Sequence, residues 1–150
     1  MVVPGMNRWF QQYVMFVVCV LWLLVPFADA GSGDLILVVH SDVPVDTLSS
    51  RDLKSIFLGE KSRWANQHRI HFVTLKHPEV HESFVRRYVG KTPTQYDIFW
   101  KKRVFSGRGR MPEAMDSPEA VMEFISQTPG AIGYVPPGTP MTEGKQIQVR

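Results

Sequence analysis

The stretch Leu48-Ser49-Ser50-Arg51-Asp52-Leu53-Lys54-Ser55-Ile56-Phe57-Leu58-Gly59-Glu60-Lys61-Ser62-Arg63-Trp64 decides how the rest of this chain is read. Ser49 stands where a helix N-cap belongs, with Asp52 three residues on as its partner, and Gly59 is a stop. Leu53, Ile56 and Phe57 recur on one face between them, so the segment predicts a short amphipathic helix. An apolar run ending at His40 precedes it and another, Ile70 to Leu75, follows Trp64. The helix is therefore expected to cross over between two strands, and that unit points to an α/β fold.

Working outward to the N-terminus, Arg8 is followed by an apolar run from Val14 to Val25, a break at Pro26 and the small-residue site Ala28-Asp29-Ala30. This is the pattern of a secretory signal peptide, and residues 1–30 are set apart from the fold with cleavage expected after Ala30. The apolar run is well short of the roughly 20 residues that span a bilayer, so no membrane anchor is expected after cleavage. Cys19 lies inside that run behind Val18, where lipidation wants a small residue. With Cys19 removed, residues 31–150 hold no cysteine, which excludes a disulfide framework and a thiol nucleophile.

Residues 31–150 suffice for one domain with a sizeable core. The whole chain has 17 basic and 14 acidic residues; Arg8 and Asp29 leave together, so the net charge stays at +3. That mild excess suits a local anion contact and does not argue for nucleic acid.

Along the domain, Leu35 to Val39 reads as a strand buried on both faces, and Asp42-Val43-Pro44-Val45-Asp46 as the turn after it. The polar segment Glu60 to Gln67 is expected to be a loop with Trp64 folded back as an apolar plug. His71 to Leu75 is a second strand, after which Pro78 opens a helix with Val80, Phe84 and Tyr88 at four-residue spacing and Arg86 and Arg87 turned to water. Thr92-Pro93-Thr94-Gln95 is a capping-box start for a helix that buries Tyr96, Phe99, Trp100 and Val104, with Lys101, Lys102 and Arg103 on a solvated face. The glycine-containing basic loop Phe105 to Pro112 lacks the lysine and hydroxyl spacing of a phosphate-gripping loop. A fourth helix begins near Asp116 or Ser117, buries Val121, Phe124 and Ile125, and ends at Thr128-Pro129-Gly130. Ala131 to Val135 is a strand in which Gly133 is expected to admit a neighbouring backbone, and Ile147 to Val149 adds an edge strand.

The order of these residues resembles the phosphate-binding-protein branch of the type II periplasmic solute-binding proteins. The resemblance rests on the Val38-Val39 strand, the Pro44 turn, the Leu48 to Phe57 helix with its Phe57-Leu58-Gly59-Glu60 ending, Trp64, and Pro129-Gly130-Ala131-Ile132-Gly133-Tyr134-Val135. Full members close two α/β lobes on a ligand, and their glycine- and serine-rich anion loop lies well before the strand seen here. The resemblance therefore implies a single lobe: a central mixed sheet flanked by about four helices. In the phosphate binders the strand matching Ile70 to Leu75 leads into an arginine and a Ser-Gly-Thr helix start. Here that place reads Leu75-Lys76-His77-Pro78-Glu79-Val80-His81-Glu82-Ser83-Phe84, with one backbone donor removed by Pro78 and negative charge added by Glu79 and Glu82.

Any small anion is expected at this helix start, where Lys76, His77, His81 and Ser83 converge, with His40, Ser41 and Tyr134 joining them if the sheet is parallel there. His77 and His81 stand four apart near Glu79, Glu82 and His71, but the spacing is common and soft ligands are absent, so no metal or other cofactor is expected. No nucleophile elbow or paired acid and base suggests an enzyme. The expected function is solute binding in the periplasm, of phosphate or another small anion, with an inner-membrane transporter as partner. The alternative is a non-catalytic interaction or sensing module that holds no small ligand tightly.

Overall fold

The computed structural model describes residues 35–150; the segment 1–30, read above as a signal peptide, lies outside the described residues. Strand β1 (Ile36–Val39) leads into the two-residue β2 (Thr47–Leu48) and helix α1 (Ser50–Phe57). Next come β3 (His71–Leu75), α2 (Pro78–Phe84) with a π-helical continuation (Val85–Val89), and α3 (Pro93–Phe105). β4 (Glu113–Met115), α4 (Pro118–Gln127), β5 (Ala131–Val135) and β6 (Lys145–Val149) complete the chain.

The strands form one six-stranded mixed sheet in the order β2-β6-β1-β5-β3-β4. β5 is its centre: β3 runs parallel to it and β1 antiparallel. Every residue of β5 is buried, as a strand covered on both faces by helices must be. The rings of Phe57 and Phe84 pack on Tyr134 and that of Trp100 on Phe72, so α1, α2 and α3 cover one face. On the other face lies α4: a Cβ on Gly133 would stand 2.9 Å from Val121 Cγ1, so the close neighbour of that glycine is a helix side chain and not a backbone.

Local chemistry explains the helix limits. The Ser49 hydroxyl accepts from the Asp52 N–H at 3.0 Å and donates to its carboxylate at 2.7 Å, which also receives Lys61 Nζ at 2.7 Å. Gly59 then leaves the helix at φ +70°, flat against Trp100. At Thr92 both halves of the capping box are made, Gln95 N–H to Thr92 Oγ1 at 3.2 Å and Thr92 N–H to Gln95 Oε1 at 2.9 Å. Trp64 is buried and its Nε1 donates to the Gly130 carbonyl at 2.9 Å, so the expected plug is also a tie across the fold.

Several expectations need correction. α1 does lie between β1 and β3 in the chain, but those strands run in opposite directions on either side of β5, and β2 intervenes. β6 is not an edge, because β2 pairs outside it; two residues are too few to show a strand period. The π turn shifts the buried register after Phe84: Val85 and Val89 are buried while Tyr88 is only half-buried. In α3, Val104 is 40% exposed, since the last turn runs past the sheet. In α4 Met122 joins Val121 and Ile125 in the core, and Phe124 is half-buried.

Candidate functional site

β3 and β4 are parallel and end side by side at Leu75 and Met115, and the Lys76 N–H closes the register on the Met115 carbonyl at 2.8 Å. Ligands of open α/β sheets gather outside such carboxyl ends. A cleft of about 180 Å³ sits there, walled by Lys76 and His81 on one side and by Tyr96, Asp97 and Trp100 of α3 on the other.

His81 is the organised group of this cleft. Its Nδ1 lies 2.6 Å from the Tyr134 hydroxyl, whose oxygen also accepts the Leu75 N–H at 3.3 Å. Tyr134 is fully buried, so its proton needs an acceptor, and Nδ1 is the one within reach. The ring is then neutral, with its proton on Nε2. Burial pushes the His81 pKa down, only partly opposed by the Asp97 carboxylate, which agrees with a neutral ring. Burial likewise raises the Tyr134 and Tyr96 hydroxyls well above their ordinary range, and both stay protonated.

The other residues expected at the site divide. Lys76 is exposed and its Nζ is 2.7 Å from Asp116 Oδ1, so its charge is already engaged. His77 caps α2 with its backbone only and is exposed. Ser83 is half-buried on the second turn of α2 and is not part of the cleft wall. Lys76, His77, His81 and Tyr134 thus share one end of the sheet.

His40 and Ser41 lie at the other end, because β1 is antiparallel to β5: Val39 pairs with Ile132, and the His40 N–H donates to the Ala131 carbonyl at 3.0 Å. The parallel arrangement on which their inclusion depended is absent. What His40 does instead is bind Asp42. Asp42 Oδ1 lies 2.6 Å from His40 Nδ1 and accepts the Gly130 N–H at 3.0 Å, while Oδ2 lies 3.1 Å from His68 Nδ1. This cluster pins the turn after β1 to the start of β5.

Partial burial alone would raise the Asp42 pKa, but the Gly130 N–H and then the His40 and His68 contacts outweigh it and hold the carboxyl below its ordinary value. A depressed pKa means stability that is present above about pH 4, the unfolded value, and lost as pH falls through the folded value. Asp42→Asn is accordingly expected to be less stable than wild type at pH 7, with the gap closing in acid. Urea midpoints measured at both ends of that range test this, and a gap that stays constant with pH contradicts it.

Asp97, Asp116 and Trp100 were not expected at the site. Asp97 sits in a helix read as a solvated face with an apolar back, and β4, which carries Asp116 alongside β3, has no β-branched residue to announce a strand. Among the described residues no group of three His, Cys, Asp or Glu side chains is placed to hold a metal ion.

No family model matches the sequence, and no curated protein matches it. Solved structures do. An ABC-type phosphate transport receptor from Vibrio cholerae matches with a TM-score of 0.57 at 20% identity, over 77% of this chain and 45% of its own. A structure described as a phosphate ABC transporter substrate-binding protein with bound phosphate, from Clostridium perfringens, gives 0.59 at 17%, over 77% and 44%. PstS from Borrelia burgdorferi gives 0.51 at 16%, over 77% and 47%. This chain spans less than half the length of each, and what it shares with these phosphate-transport receptors is the fold of that portion.

Proposed function

We propose that this protein is a solute-binding lobe of the bacterial envelope that captures phosphate or another small anion at the ends of β3 and β4 and passes it to an inner-membrane transporter. The observation that carries this reading is the cleft at the carboxyl ends of two parallel strands, with Lys76 and a Tyr134-oriented His81 on its wall. A fold shared with phosphate receptors supports it. The signal-peptide pattern of residues 1–30 supports export of residues 31–150 to the periplasm. Affinity is expected to be low: one lobe leaves the ligand open to water, Asp116 competes for Lys76, and Asp97 faces the cleft.

A thermal-shift series with phosphate, sulfate and small carboxylates at millimolar concentration tests this. Binding to the folded state raises the melting temperature by mass action, and Lys76→Ala with His77→Ala should abolish the rise. A rise that survives the double change moves the site elsewhere, and a flat response to all the anions overturns solute capture.

A flat response would favour the second reading, an interaction or sensing module. One observation supports that alternative: Phe105 at the end of α3 is 91% exposed, and Ile98 and Val104 of the same helix are exposed as well.

A further inference from the structure

A larger cleft of about 730 Å³ lies at the opposite, N-terminal end of β3 and β4, divided from the strand-end cleft by Trp100, Met111 and Pro112, which line both. Its charge is one-sided. Arg69 enters from the start of β3, Arg103 from α3, and Arg108 and Arg110 from the basic loop, while Glu113 is the lone carboxylate on its wall. Lys61 also lines it but is neutralised by Asp52 at 2.7 Å. Among the described residues, Arg69, Arg103, Arg108 and Arg110 make no ion pair.

Arg103 supplies a second, separate observation. Its guanidinium lies over the Phe99 and Trp100 rings at 5.7 and 5.6 Å, its Nη2 donates to the Gly59 and Arg108 carbonyls at 3.4 and 3.3 Å, and its Nε is buried without an acceptor, so no carboxylate meets its charge. Buried donors in folded proteins are almost always satisfied, and clustered guanidinium groups repel one another unless an anion lies between them. Two glycines, Gly59 and Gly109, flank Trp100 at this place, so the wall near Arg103 is backbone and ring rather than bulky side chain.

We propose that this basic cleft is a second ligand site, distinct from the strand-end site, and that it takes a molecule carrying several linked oxyanion groups, the polyphosphate class, rather than a single phosphate. One phosphate would fill only a small part of 730 Å³ and could not meet guanidinium groups arriving from three separate segments. A chain of phosphoryl groups can engage Arg69, Arg108 and Arg110 in turn through paired N–H donors, with the half-buried Arg103 adding its charge from the cleft wall. The site does not depend on Lys76, His77 or His81, so it stands or falls apart from the function proposed above.

Calorimetric titration of the full protein with inorganic tripolyphosphate, orthophosphate and phosphatidylglycerol vesicles tests it. Tripolyphosphate is expected to bind one to one and at least tenfold more tightly than orthophosphate, with affinity falling steeply as salt is added. Arg108→Ala with Arg110→Ala should weaken it at least tenfold, whereas Lys101→Ala with Lys102→Ala, which removes equal charge from the exposed side of α3, should change it less than twofold. Arg108 and Arg110 are exposed in a loop, and an unchanged melting temperature of the double variant confirms that it folds. The proposal is overturned if tripolyphosphate does not bind, if orthophosphate binds as well, if both double variants lose affinity equally, or if only the vesicles bind.

Discussion

Gly130→Ala is expected to lower stability by roughly 3 kcal/mol or more, a large share of the about 5–15 kcal/mol that holds a domain folded. The residue sits at φ +75°, and a Cβ there would lie 2.2 Å from the Arg69 carbonyl oxygen. A backbone atom cannot swing aside as a flexible side chain can. Relief would require the start of β3 to move away from β5, yet three further ties converge on the same glycine. Its N–H donates to Asp42 at 3.0 Å, and its carbonyl accepts Trp64 Nε1 at 2.9 Å and the His71 N–H at 3.2 Å. The change should therefore loosen the turn after β1, the loop after α1 and the β3–β5 pairing together. Urea unfolding followed by Trp fluorescence measures it, and a midpoint within about 0.3 M of wild type contradicts this account.

The second large effect is expected at Phe84→Ala, a loss of about 3–5 kcal/mol. Phe84 is fully buried, its ring stacked on Tyr134 at 3.9 Å between centroids and meeting Phe57 edge-on at 4.5 Å. The three rings join α1, α2 and β5, so the cavity opens where no element can collapse without breaking another contact. Because Tyr134 also orients His81, the variant is expected to weaken anion binding at the strand-end cleft even at temperatures where it remains folded. Phe84→Leu, which keeps most of the volume, should cost less than half as much. A loss below about 1.5 kcal/mol for the alanine variant would show that the ring cluster is less rigid than its geometry indicates.

These two residues show how differently the chain discloses itself. Phe84 was legible in advance, because Val80 and Phe84 keep helical spacing behind Pro78. Gly130 was legible as the turn that ends a helix, but its contact with Arg69 joins segments 61 positions apart, and no local pattern carries that. The candidate site shows the same division. Lys76, His77 and His81 follow one another from the end of β3 into α2, so their shared position needs only the strand-to-helix order of the chain. Asp97, Trp100 and Asp116 arrive from α3 and the segment after β4, and the carboxylates among them change the electrostatics of the cleft. His40 and Ser41 were misplaced because strand direction is a property of pairing, and an apolar run such as Leu37 to Val39 looks the same in either direction.

The sequence by itself determined the α/β class, the helix starts with the Ser49 and Thr92 caps, and the strands that are rich in β-branched residues, since these depend on neighbours within a few positions. The tertiary structure alone decided the mixed strand order, the antiparallel β1, and the gathering of Arg69, Arg103, Arg108 and Arg110 around one cleft. Backbone pairing between distant segments and the charge that it brings together have no local signature. The segment Leu48 to Trp64 belongs to both accounts: its cap and apolar face are written in order, while Trp64 finds Gly130 only once the sheet has formed.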